Sequence, residues 1–158
     1  SNCLHVIRNI LGNLDSRRDW GHAKDYIKMM WMILQAEKAE DWVIATGRTT
    51  SIRDFVKMAF GHIGVELEFI GEGINEAAKI KSCSNQKYQL EVGKEVLSID
   101  EKYFRPTEVD LLIGDPTKAK TILGWNPRET SFDQLIWLMI ENDKKIVEKE
   151  STLKKSYD

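Results

Sequence analysis

No apolar run in this sequence approaches the roughly 20 residues that an α-helix needs to cross a bilayer. No basic surplus exists either: 23 Lys and Arg stand against 25 Asp and Glu, for a formal charge of -2. Binders of nucleic acid or of anionic membranes need the opposite balance, so neither partner is expected. Cysteine is scarce. Cys3 and Cys83 form neither a metal-ligand spacing nor a disulfide framework, which suits a reducing, cytoplasmic setting. No signal-peptide pattern is read ahead of the fold.

Familiar chemical signatures are missing as well. No phosphate loop is present. Gly71-Glu72-Gly73 opens like a dinucleotide fingerprint, but position 76 is Glu76 and no third glycine follows. That third glycine is what allows a helix to pack closely on a strand, so the match is rejected. His5, His22 and His62 have no second ligand at metal spacing, and no metal is expected. No Ser/His/Asp or Cys/His arrangement can be argued from spacing, because such sets meet in space rather than in sequence.

What remains is the composition of a globular domain: 158 residues, 42% hydrophobic and 30% charged. That is enough chain for one domain over 1–158 with a core of its own. Residues 3–11 could be a short helix or a strand, and the structure of 1–10 is left open. Apolar spacing predicts a helix from His22 to about Lys38 with a broad buried face that includes Met30 and Trp31. A buried strand is read at Trp42–Thr46. Ser51 and Asp54 form a capping box ahead of a second helix that Gly64 ends. Val65–Phe69 alternates as a half-exposed strand. Residues 71–87 read as loop with one short helix. Tyr88–Val92 and Glu95–Ile99 read as the arms of a hairpin, and Val109–Ile113 as another strand.

Asp115 and Pro116 start a helix with Ala119, Ile122 and Leu123 inward, which Gly124 stops. Thr130 and Asp133 cap a last helix, with Phe132, Leu135, Ile136, Met139 and Ile140 inward. Its charged end, within 144–158, is expected to fray. Strands alternating with helices make the fold class α/β in a mixed α+β form.

Two stretches carry site-like chemistry. In the first, the turn-forming run Gly12–Ser16 leads to Arg17, Arg18, Asp19, Trp20 and Gly21, and then to a helix. Arginine ahead of a helix can meet an anion beside free N–H groups, or can remain a solvated loop charge. In the second, Arg105 precedes Pro106, whose ring pre-sets the backbone, and Glu108 follows. A guanidinium suits a phosphate, and a carboxylate suits ribose hydroxyls or the N–H edge of guanine. The bland alternative is an Arg–Glu surface pair worth at most about 1 kcal/mol.

Two longer runs carry a resemblance. Leu11-Gly-Asn-Leu-Asp-Ser-Arg-Arg-Asp-Trp-Gly-His-Ala-Lys-Asp-Tyr26 resembles the GDP-mannose 4,6-dehydratase family, and so does Tyr103-Phe-Arg-Pro-Thr-Glu-Val-Asp-Leu-Leu-Ile-Gly-Asp-Pro-Thr-Lys-Ala-Lys120. Val43-Ile-Ala-Thr-Gly47, Ser51-Ile-Arg-Asp-Phe55 and Leu123-Gly-Trp-Asn-Pro127 are similar in the expected order. The arginine-aspartate-aromatic triplet is shared with the whole extended short-chain dehydrogenase/reductase superfamily. The longer runs are specific to the dehydratase.

Half of that family's pattern is missing here. There is no cofactor-binding glycine motif and no tyrosine-x-x-x-lysine pair. Tyr26 is followed four positions on by Met30, Tyr88 by Val92 and Tyr103 by Thr107.

The resemblance therefore implies the C-terminal, sugar-nucleotide-binding portion of the enzyme, without its Rossmann motif and inactive alone. It implies a substrate, GDP-mannose, converted to GDP-4-keto-6-deoxymannose by intramolecular redox with NADP as hydride carrier. It implies Arg18 and Arg105 at the GDP diphosphate or its ribose, Glu108 at the nucleoside hydroxyls or base, and Asn13 along the nucleotide. It leaves Arg17 exposed, and Asp19 and Trp20 as supports of the turn. A homo-oligomer is expected, as is an apolar surface left uncovered by the missing part. The alternatives are a non-catalytic nucleotide-sugar-binding module and a related sugar-nucleotide epimerase or reductase.

Overall fold

The computed structural model describes residues 8–88, 90–105 and 112–155. The chain divides into two compact units, residues 1–18 with 50–112, and residues 19–49 with 113–158.

The first unit is built on a four-stranded mixed sheet in the order β1-β6-β5-β4. Its strands are β1 (Asn9–Leu11), β4 (Val65–Ile70), β5 (Ala77–Cys83) and β6 (Glu95–Ile99). β6 runs parallel to β1 and antiparallel to β5, and β5 is antiparallel to β4. Val96 to Ile99 are all buried, the continuous burial of a strand paired on both sides and covered on both faces. On β5, Ala78 and Ile80 are buried while Lys81 stands out. Helix α2 (Ile52–His62) packs Val56 and Phe60 against Ala78, Leu97 and Ile99.

Helix α2 forms where its signals agree. The Ser51 hydroxyl accepts from the Asp54 N–H at 3.0 Å and donates to the Asp54 carboxylate at 2.8 Å. Gly64, with φ at +78°, ends the helix in a conformation that side-chain-bearing residues resist.

β5 corrects the reading of residues 71–87. Only Gly73–Asn75 form a 3-10 turn, and a seven-residue strand follows. That strand is also the true first arm of the hairpin. Gly93 N–H donates to Ile80 O at 2.7 Å, and Ile80 N–H to Lys94 O at 3.0 Å. Tyr88 and 90–92 form no strand. Of the ambiguous start, Asn9–Leu11 is strand, and residues 1–7 lie outside the described residues. Most of the strand read at Val109–Ile113 lies outside the described residues, and Leu112 and Ile113 are exposed and unpaired in any sheet.

The second unit contains α1 (Ala23–Leu34), α3 (Thr117–Ile122) and α4 (Phe132–Lys155). Its core joins Met29, Ala119 and Trp125, with Tyr26, Met32, Ile33, Trp42, Ile44 and Leu123 around them. Trp42–Thr46 is not a strand. Asp19 takes the backbone bonds a sheet partner would take, accepting from Thr46 N–H at 2.8 Å and Gly47 N–H at 3.1 Å.

The buried face of α1 is also not the expected one. Asp25 and Met29 are buried, while Ile27, Met30, Trp31 and Leu34 are exposed. Asp25 explains the choice. Its carboxylate accepts from Thr130 N–H at 3.0 Å and from the Thr130 hydroxyl, and its backbone carbonyl accepts from the Trp125 indole at 3.0 Å. Thr130 is thereby used up, and Ser131 caps α4 instead, accepting from Gln134 N–H. Ile136 is inward on α4 as read, but Met139 is exposed, as is Ile122 on α3. α4 continues to Lys155, through the charged stretch for which fraying is expected.

Two short strands, β2 (Arg17–Asp19) and β3 (Thr49–Ser51), pair as a two-stranded sheet. The chain passes from one unit to the other within each of them.

Candidate functional site

The site is best built from the turn that follows β1. β1 and β6 are parallel, with Leu11 opposite Ile99. Both strands therefore end on the same edge of the sheet, the edge at which parallel strands present ligand-binding loops. After β1 comes Gly12–Ser16. After β6, the chain turns over Asp100, with Tyr103 N–H and Phe104 N–H both on Asp100 O at 3.0 Å. This brings residues 103–105 back beside the first turn.

Every residue of Gly12–Ser16 is held within this unit. A Cβ on Gly12 would lie 2.3 Å from Tyr103 O, so only glycine lets the two backbones approach this closely. Asn13 forms two hydrogen bonds to one residue. Its side-chain nitrogen donates to Arg105 O at 2.8 Å, and its side-chain oxygen accepts from Arg105 N–H at 2.9 Å. Leu14 is buried against Val56, Ala78 and Leu97. Asp15 accepts from Arg53 Nε at 2.9 Å. Ser16 O accepts from Ile52 N–H at 3.1 Å, beside Leu14 O on Arg53 N–H at 2.8 Å.

Arg53 anchors the far end of this turn. It also bonds the Glu76 carboxylate through both terminal nitrogens and lies 5.1 Å over the Phe69 ring. The Glu76 bond is the main reason its guanidinium pKa is raised above the ordinary value, with Asp15 adding to it. Glu76 is only 7% exposed, so its charge needs this partner. Asp15 shares the single Arg53 cation with Glu76, so these three groups together keep a net negative charge beside the turn.

The expected site residues fall into three groups. Asn13 and Arg105 are brought into direct contact across 92 positions of sequence. Arg18 is on β2, half-buried, with Nη1 donating to Arg17 O at 2.8 Å, while Arg17 is exposed. Glu108 lies outside the described residues, as does Pro106. Arg105 itself is exposed, and among the described residues no partner takes its guanidinium. A planar cation on a pinned backbone, with no described partner at its donors, matches a phosphate or diphosphate.

Sequence reasoning missed the seat itself. Gly12 and the Arg53–Glu76 pair carry no local signature, since their meaning depends on partners far along the chain. Asp19 and Trp20 do hold structure: Asp19 closes on Thr46 and Gly47, and the Trp20 ring stands 6.3 Å from that of Phe132.

The Gly71–Gly73 stretch does not form a dinucleotide-binding turn. Gly71–Gly73 enters a 3-10 turn and then β5, so no helix N-terminus receives a diphosphate there. Among the described residues no group of three or more His, Cys, Asp or Glu gathers as a metal site. No described helix is long and apolar enough to cross a membrane.

A family model described as GDP-mannose 4,6 dehydratase matches residues 5–139. The GDP-mannose 4,6-dehydratase of Vibrio cholerae serotype O1 (strain ATCC 39315 / El Tor Inaba N16961) is 46% identical over 146 residues, covering 92% of this chain and 39% of the relative. The GDP-mannose 4,6 dehydratase of Homo sapiens is 49% identical over 133 residues, covering 84% of this chain and 33% of its own. This chain thus spans well under half the length of those relatives. A solved structure of RMD from Pseudomonas aeruginosa, complexed with NADPH, superposes with a TM-score of 0.58 over 85% of this chain and 35% of that one. At 16% identity that likeness speaks for the fold alone.

Proposed function

This chain belongs to the GDP-mannose 4,6-dehydratase family, and from that membership we propose that it is the GDP-binding part of such an enzyme. The longer enzyme takes GDP-mannose to GDP-4-keto-6-deoxymannose with loss of water. This part holds the GDP and does none of the chemistry. The observation that carries the reading is Arg105, fixed by its backbone to the turn ahead of β2 and free of any described partner at its guanidinium. Arg18 stands five residues beyond Asn13 and supplies the second cation. Glu108 completes the set at the ribose or base.

The same proposal assigns NADP to the part of the longer enzyme that carries a glycine motif. The missing tyrosine–lysine pair makes this chain inactive alone. Homo-oligomerisation and a cytoplasmic setting belong to the proposal as well.

Calorimetric titration with GDP and GDP-mannose tests it. A dissociation constant in the micromolar range, with similar values for the two, is expected. No binding out to millimolar ligand would overturn the assignment. Turnover of GDP-mannose by this chain with added NADP would overturn the claim of inactivity and nothing else. A module that binds nucleotide-sugars without taking part in catalysis predicts the same titration. It differs in that joining the chain to the rest of an enzyme of this family would restore no activity.

A further inference from the structure

Both polar atoms of the Asn13 side chain are turned to the backbone of Arg105, each making one hydrogen bond to it. This is the pattern by which one strand residue holds another, made here by a side chain. It is needed at this place for a physical reason. The residue after Arg105 is Pro106, which has no N–H to give to a neighbouring strand. The segment ahead of it therefore needs another tether, and the Asn13 amide supplies a donor and an acceptor in one rigid plane. Gly12 sets the distance by letting the backbone at Tyr103 come within contact of its own.

We infer that Asn13 is a positioning residue for Arg105 and makes no hydrogen bond to the nucleotide. The inference rests on the reading of Arg105 as a GDP ligand, and it changes what Asn13 is for. A clasp of this kind lowers the freedom that the arginine backbone would lose on binding, so its contribution is to affinity and passes wholly through Arg105. Asn13→Asp keeps the acceptor but sets a carboxylate oxygen against the Arg105 carbonyl, so it loses half the clasp.

The test is a double-mutant cycle on this chain, read as the dissociation constant for GDP. Asn13→Ala alone weakens binding about five- to tenfold, and Asn13→Asp at least as much, since its carboxylate repels both the Arg105 carbonyl and the diphosphate. Arg105→Ala alone weakens it more, and adding Asn13→Ala to Arg105→Ala changes nothing further. Additive losses would overturn the inference, because they would place Asn13 on the nucleotide itself.

A second readout needs no ligand. The Arg105 amide exchanges its hydrogen at least about tenfold faster in Asn13→Ala than in the unaltered chain, at an unchanged melting temperature. An equal exchange rate would remove the clasp. Failure of the unaltered chain to bind GDP would instead remove the assignment of function, whatever the exchange rates show. The two failures are therefore distinguishable.

Discussion

Arg17 and Arg18 carry the same charge one residue apart, and the fold gives them different surroundings. Arg17 is exposed, while Arg18 is half-buried with one nitrogen already on the Arg17 carbonyl. A guanidinium held in this way loses less freedom when it meets a phosphate. Arg18→Ala is expected to weaken GDP binding by about 1.5–3 kcal/mol, the range for a charged hydrogen bond, and to leave the melting temperature nearly unchanged. Arg17→Ala should shift the same titration by under about 0.5 kcal/mol. Equal losses from the two would mean that a diffuse positive field, and not a placed side chain, attracts the ligand. At this scale the sequence was legible in residue types and illegible in partners. The chemistry of the arginines allows an anion or a solvated loop charge, and only the family resemblance favours the first. That the Asn13 amide belongs to Arg105 could not be read, because the two residues meet across 92 positions through a sheet whose order is not written locally.

Elements were legible where several local signals coincide. α2 has a serine cap, an acidic first turn, a regular apolar period and a glycine stop, and it is found where they place it. β5 has none of these. Ala77 to Cys83 contains one β-branched apolar residue, Ile80, and becomes a central strand because β4 and β6 both pair with it. Trp42–Thr46 shows the reverse, an apolar run with strand-like residues that finds an aspartate where it would need a ladder. The start of α3 offers a test by pH. Asp115 Oδ1 accepts from the Thr117 hydroxyl at 2.5 Å and from Thr117 N–H at 2.9 Å. The hydroxyl is the larger cause that holds its carboxyl below the usual range, and the N–H adds to it. A folded pKa below the unfolded one gives stability that is present above the ordinary carboxylate value and is lost as pH falls through the depressed one. In an NMR titration the Asp115 carboxyl should therefore ionise below the usual aspartate range. Thr117→Val should move it back up, and an identical curve in both proteins would show that the hydroxyl does not set it.

At the scale of the whole molecule, the candidate site and the exposed apolar face of α1 belong to different units. Asn13, Arg18 and Arg105 all lie in the unit of residues 1–18 and 50–112. In the other unit, Ile27, Met30, Trp31 and Leu34 are 63%, 54%, 62% and 79% exposed. Their spacing of three, four and seven residues places them on one face of α1, opposite Asp25 and Met29. This is the face that sequence periodicity assigns to a core, and within this chain nothing among the described residues buries it. Four such side chains are well placed to lower their free energy by association, at about 1.5–3 kcal/mol for each one fully covered. A net charge of -2 adds little repulsion to oppose it. The chain alone should therefore self-associate as its concentration rises from about 1 to 100 μM, seen as a rising mean mass in light scattering. Trp31→Glu with Leu34→Lys should hold the mass at that of the monomer over the same range. GDP affinity should stay within about twofold in that variant, since neither residue is in the unit that carries the arginines. A constant monomer mass for the unaltered chain would show that the α1 face does not drive association. A loss of GDP affinity in the double variant would show that the two units are coupled in binding.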